Sequence, residues 1–360
     1  MGRPASGLLL LAMTGFSATY VKSLTLIFVS IVPAAPVWLL SAGLALTALA
    51  VVVGGGLNSV VRSDQVGFAL TIMQLPVLLY VGWQTAGLHA LTLAFPRDQL
   101  TVSPIAQWNH AALPFRFVFT LMVLTCFTYI SAPWFGQKIF AAKDARTASA
   151  AVGIAAVLIF LLYGTMVLGA AFYRAMAAPL ANPDAVVPAM IAAWLPAGAR
   201  GTGIARLFTA AMTTLAGVWS AMTAKLSADF RVATTVRGQR IAMALLALLC
   251  WLGANVLVDD IPNRLILASI PVAALSFALL DGFQWRGATT AGAWASVVVG
   301  VAWGVGCIVV VGEAGGYTWL WAMYGVPLIF GTGIVVSPLT PPSTSAASSG
   351  STQSAWTTES

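Results

Sequence analysis

The sequence is a succession of apolar stretches, each about as long as a bilayer is thick. A helix needs roughly 20 predominantly apolar residues to cross the hydrocarbon layer. Ten such stretches can be placed, near 6–31, 36–54, 64–88, 115–136, 148–175, 203–229, 239–258, 263–281, 288–311 and 317–336. Only 8% of the residues are charged and 59% are hydrophobic, whereas soluble domains carry roughly 25% charged residues. The apolar excess therefore belongs to lipid, and the expected fold class is all-α, a polytopic membrane protein of about ten transmembrane helices. A β-barrel would need short alternating strands, and none appear.

Charge then bears on topology. Net charge is +7, and basic residues of membrane proteins gather in cytoplasmic loops. One set of connections holds Arg3, Arg62, Lys138, Lys143, Arg146, Arg231, Arg237, Arg240 and Arg286; the other holds Arg97, Arg116, Arg174, Arg200 and Arg264. Nine against five puts the first set, and both termini, in the cytoplasm of a plasma-membrane protein. The basic residues form no run interleaved with aromatics, so nucleic acid is not an expected partner. Segments 89–114 and 176–202 read as outside loops, with His89 and His110 solvated there. Residues 1–336 read as one transmembrane domain and 337–360, rich in Ser, Thr and Pro, as a disordered cytoplasmic tail. Cys126, Cys250 and Cys307 fit no metal spacing and read as small buried hydrophobes.

Three stretches carry more polarity than lipid tolerates without reason. The first is "TAAMTTLAGVWSAMTAKLSADF" (209–230), where Thr209, Thr213, Ser220 and Ser227 share one helix face with Ala216, Gly217 and Ala224. Such a stripe serves close helix packing, with hydroxyls bonding back to the backbone. It equally offers hard oxygen ligands to a small cation: the hydroxyls of Thr213 and Thr214, and the Ala210 carbonyl. The second is "YISAPWFGQKIFAAKDARTA" (129–148), where Pro133 predicts a helix break inside a span, a feature of membrane cavities. The third is "VVVGGGLNSVVRSDQVGFA" (51–69), where three glycines predict a break and Asp64 sits at the cytoplasmic edge, paired with Arg62 or lining a vestibule. Lys22, deep in the first apolar run, calls for a buried partner or a cavity.

Together these stretches resemble the sodium:solute symporter family, which includes sodium/glucose and sodium/proline carriers. "GGGLNSVVRSD" is similar to the family's glycine turn before a Thr-Asp. "QKIFAAKD" (137–144) is similar to its Gln-Arg-x-x-Ala-Ala-Lys, and "AAMTTLAGVWSAMTAKLSADF" to its Ser-Ser helix. "DAVVPAMIAAWLPAGARGTGIARL" and "LLDGFQWRGATTAGAWASVVVG" resemble the segments entering that helix and a later span. The resemblance implies a five-plus-five inverted repeat, present here in part. It also implies a sodium-coupled symporter that imports a small polar solute by alternating access, with sodium as coupling ion, no cofactor and no enzymatic chemistry. Ala210, Thr213 and Thr214 would bind sodium, Asp64 would lie on the ion pathway, and Thr128 and Tyr129 would line the substrate cavity.

The sequence departs from the family pattern in several places. Threonines replace both serines, Ser63 replaces Thr, Lys138 replaces Arg, and the Gln after the aspartate is displaced. "TGFSATYVKSLTLIFVSIV" resembles the third core helix, so the first two are expected to lie upstream of a truncated start or on a second chain. The alternative expectation is a transport-inactive membrane remnant or interaction protein lacking half of the ion site. A proton is the alternative coupling ion to sodium.

Overall fold

The computed structural model describes residues 2–29, 31–95, 105, 107–109, 114–177, 180, 183–285, 287–312 and 316–340; side chains of 55–59, 184 and 283 lie outside this description. Among the described residues the chain is helical and has no strand. The elements are α1 (Gly2–Val29), α2 (Val37–Ala94), α3 (Phe115–Ser131), α4 (Pro133–Phe140), α5 (Ala145–Met176), α6 (Val186–Trp194), α7 (Ala197–Phe230), α8 (Val236–Val256), α9 (Ile261–Ala274), α10 (Ser276–Gln284), α11 (Thr290–Val311) and α12 (Tyr317–Val336). Among the described residues nine segments are long and apolar enough to cross a membrane, or ten if α3 and α4 count as one broken span. α5 shows why lipid is the solvent: Ile154, Val157, Phe160 and Val167 all face outward, as expected of a helix apolar all round.

Several elements differ from the sequence expectation. The helix runs through Gly54–Gly56 without a break, so α2 is 58 residues long and carries two apolar spans, Val37–Gly54 and Val60–Ala94. Glycine costs roughly 1 kcal/mol in a helix, less than leaving backbone groups unbonded in hydrocarbon. His89 consequently sits in the last turns of α2 rather than in a loop. Segment 176–202 is not wholly a loop either. It holds a 3-10 turn (Pro183–Ala185), α6 and the start of α7, because Met190 and Ile191 bury themselves. Cys126 is exposed, whereas Cys250 and Cys307 are buried as expected. His110, Arg97 and residues 341–360 of the tail lie outside the described residues.

The chain divides into two compact, interleaved units. One comprises Met1–Ala12, Trp108–Pro133 and Leu265–Ser360. Its core gathers Leu124 of α3, Ile270 of α9, Cys307 of α11 and Trp321 of α12. Glycines on one face of α11 let α12 approach closely, as small residues do in membranes. A methyl added at Gly300 would lie 2.7 Å from Ile329 Cγ1, and one at Gly304 would meet the indole of Trp321 and lie 2.5 Å from Ile270 Cγ2. Arg116, in the first turn of α3, holds its guanidinium 4.3 Å from the ring centre of Trp319, a cation–π contact.

The other unit comprises Met13–Gln107 and Trp134–Arg264. Here α2 packs along α7, α5 and α8. Leu75, Leu78, Ile191 and Leu195 form one core cluster, and Val52, Val60 and Ala216 another. Ser41 of α2 accepts from Trp251 Nε1 of α8 at 2.9 Å, pinning the start of α2 to the end of α8. Between α8 and α9, Arg264 grips Asp259 with two bonds of 2.8 and 3.0 Å, which pull that carboxyl from 3.8 down to about 2.

The α11–α12 packing predicts the outcome of two single-methyl additions. Gly304→Ala, forced against the fully buried Trp321, should cost roughly 1–3 kcal/mol. Gly306→Ala, with open space around the new methyl, should be neutral or slightly stabilising. Thermal unfolding of the detergent-purified protein reads both, and equal midpoints would refute this account of the interface.

Candidate functional site

α7 is the helix on which the candidate site is built. It starts after Pro196 and stops at Arg231, whose left-handed backbone (φ 56°) ends the helix. Successive residues turn by about 100°, so Ala199, Arg206, Ala210, Thr213, Gly217 and Ser220 fall within a wedge of roughly 80°. Most hydroxyls on α7 return to its own backbone. Thr209 donates to the Ala205 carbonyl at 2.8 Å, Thr223 to Trp219 at 2.8 Å, and Ser227 to Thr223 at 3.0 Å. These three follow the packing expectation.

Thr213 and Thr214 differ in one respect: they converge. Both donate to the Ala210 carbonyl, at 3.3 and 2.9 Å. The three oxygens named from sequence thus form a cluster, with Thr213 buried, Thr214 half-buried and Ala210 exposed. A carbonyl receiving two hydroxyls has its acceptor capacity in use. If both hydroxyls turn their protons aside, the same three oxygens present lone pairs to one hard cation, which prefers oxygen ligands.

The two flanking motifs meet beside this cluster. Gln137 of α4 donates from Nε2 to the Gly217 carbonyl at 3.0 Å, one turn beyond Thr213. Its neighbour Lys138 forms an ion pair with Asp64 of α2 at 2.5 Å. Asp64 is therefore paired across the fold with Lys138, not locally with Arg62. Gly67 of α2 approaches Thr209 so closely that an added methyl would lie 3.0 Å from its Cγ2. Further along, Gln74 lies against Gly203. The two helices are thus antiparallel, and at 1.5 Å per residue Asp64 lies level with Thr213 to within about a turn.

The expected break at Pro133 is present. Ala132 adopts φ −78°, ψ 118°, between α3 and α4, as a residue before proline must. Thr128 and Tyr129 belong to the unit that carries α3, the other one from Ala210, Thr213 and Thr214. Thr128 is buried at 6% exposure with its hydroxyl unpartnered, as is that of Ser131, whereas Tyr129 is 45% exposed. Lys22 is half-buried in α1 and forms no ion pair among the described residues.

One residue escaped the sequence reading. Arg206 lies in α7, seven positions before Thr213, and is 3% exposed. A cation in the middle of the preceding apolar turns was the available signal.

Among solved structures the chain is similar to a sodium-coupled sialic acid symporter, captured substrate-bound and outward-open with a novel sodium site. The TM-score is 0.73 at 15% identity, covering 94% of this chain and 74% of that one. No family model matches the chain, and no curated protein does. The likeness shows the fold: an all-helical, multi-pass membrane protein with the architecture of that transporter.

The tether from α4 predicts two separable losses. Gln137→Leu should cost about 1 kcal/mol, the net worth of one intramolecular hydrogen bond, here a partly buried one. Lys138→Ala should cost less, because both partners are about a third exposed and such pairs contribute roughly 0.2–1 kcal/mol. A double-mutant cycle over Lys138 and Asp64 that shows no coupling would contradict the ion pair.

Proposed function

We propose that this chain is a sodium-coupled secondary active transporter that carries a small polar solute across the plasma membrane by alternating access. The observation that carries the proposal is the convergence of the Thr213 and Thr214 hydroxyls on the Ala210 carbonyl, beside Asp64. The fold shared with a sodium-coupled symporter supports the same reading. Ala210, Thr213 and Thr214 supply three of the sodium ligands, and further oxygens complete the shell, since oxygen-coordinated cations take about five or more. Thr128 and Tyr129 line the substrate cavity, beside the break at Ala132. Both termini face the cytoplasm.

The chemistry is binding alone. Sodium leaves its water shell and receives the oxygens that had been engaged within α7. The two hydroxyls are buried or half-buried, so they re-form bonds to carbonyls when the ion departs and are never left unpaired. Asp64 is neutralised by Lys138 in the ion-free state. An ion passing on the cytoplasmic side competes with Lys138 for that carboxylate, which holds the pathway closed to stray cations. Coupling then requires only that sodium bind one conformation more tightly than the other.

Sodium binding tests the reading before any solute is known. In detergent, sodium chloride should raise the unfolding midpoint relative to choline chloride of equal ionic strength. At a hundred times the dissociation constant the gain is about 2.7 kcal/mol. Thr213→Ala with Thr214→Ala should remove the difference while leaving the choline midpoint close to wild type. A sodium effect of unchanged size in the double variant sinks the assignment.

A further inference from the structure

Arg206 presents a problem that the sodium site does not solve. Its guanidinium is buried within α7, and Nε and Nη2 have no hydrogen-bond partner. Among the described residues the ion pairs are Lys138–Asp64, Lys225–Asp229 and Arg264–Asp259, so no carboxylate answers it. Arginine does not discharge itself by losing a proton. A buried cation with unused donors is a strongly unfavourable state unless an anion joins it.

A second unpartnered group lies on the same side. Gln74 of α2 rests against Gly203, where an added methyl would lie 2.5 Å from its Nε2. Its Nε2 points to the Ala199 carbonyl at 3.5 Å, and its Oε1 is buried without a donor. Gly203 lies one turn before Arg206, and Ala199 lies on the same face of α7 as both. Gln74 and Thr202 are also the polar members of a cavity of about 230 Å³ whose other walls are Leu70, Met73, Val77, Leu195 and Ala199. The α7 face thus offers unsatisfied donors at Arg206, and α2, packed on that face a turn away at Gly203, offers an unsatisfied acceptor at Gln74.

We propose that Arg206 and Gln74 form a recognition site for a small organic acid, Arg206 taking the carboxylate and Gln74 Oε1 accepting from a hydroxyl or amine beside it. The planar guanidinium grips a carboxylate with two parallel bonds, and a site built to bond a hydroxyl discriminates against the analogue lacking it. Arg206 lies one turn before Ala210 on the same wedge of α7, so the anion binds along the helix that carries the cation oxygens, and each charge lowers the cost of the other. This deepens the transport reading by naming the solute class, and it rests on that reading.

Three three-carbon probes separate the contributions: propanoate (charge alone), lactate (charge and hydroxyl) and lactamide (hydroxyl alone). In sodium chloride, lactate should raise the thermal midpoint most, propanoate less and lactamide not at all. Arg206→Met should weaken apparent affinity for lactate and propanoate on the order of a hundredfold or more. It should also raise the midpoint of the probe-free protein, because an uncompensated buried charge is gone. Gln74→Leu should bring lactate down to the level of propanoate. If Arg206→Met does not fold, the wild-type ranking and Arg206→Lys, which keeps charge but loses the bidentate grip, decide the matter. Protection by lactamide equal to that by lactate, or no protection by either acid, overturns the proposal. So does retention of full affinity in Arg206→Met or Arg206→Lys. A sodium shift that persists when the acids fail leaves the transport reading standing without this solute class. Acids that protect while sodium has no effect do the opposite: the anion site stands and the sodium ligands fall.

Discussion

Hydrocarbon offers no hydrogen bonds, so every polar atom in a membrane helix must find a partner inside the protein. Most hydroxyls of α7 obey this by turning to carbonyls of their own helix, and those bonds need no ion. The same rule gives the Thr213–Thr214 pair its potential. Oxygens that can revert to a carbonyl carry no penalty when empty, so a reversible cation site can be built from them. Carboxylates in that position would need a permanent counter-charge, which is how Asp64 is handled by Lys138.

The two units solve burial differently. In the unit carrying α11 and α12, backbone closeness dominates, with Gly300 and Gly304 admitting large side chains that fill the space against the helix. In the other, polar side chains cross between helices: Ser41 with Trp251, Gln137 with Gly217, Lys138 with Asp64. Membrane packing permits both, since neither relies on water to drive helices together. The polar unit is also the one holding every candidate sodium ligand and Arg206.

The helices were legible because their signal is summed over about twenty residues, and the break at Pro133 because proline acts through its own ring. The trio of Ala210, Thr213 and Thr214 was legible for a similar reason: i−3 and i−4 relations are fixed by the helix itself. What depended on another helix was not. That Asp64 finds Lys138, seventy-four positions away, instead of Arg62 is a property of how α2 and α4 pack. The glycines near 54–56 suggested a turn, but a local preference of about 1 kcal/mol per residue yielded to continuous backbone bonding. Segment 176–202 reads as a loop because Pro and Asn mask the short helix α6, whose Val187, Ile191 and Trp194 find a core with residues of α2 and α5. Arg206 carries part of its meaning in the sequence, as a cation inside an apolar span, but its lack of a partner is displayed only by the packed structure.

The short helix after the break, α4, grips the rest of its unit with two consecutive side chains that obey different physics. Gln137 holds a peptide oxygen through a neutral bond that is indifferent to dissolved electrolyte. Lys138 holds a carboxylate across partly wetted space, where mobile ions shield the attraction over a Debye length of about 8 Å at physiological strength. Raising electrolyte therefore loosens one tooth of this fork and spares the other, so that α4 stays attached to α7 while its grip on α2 fades.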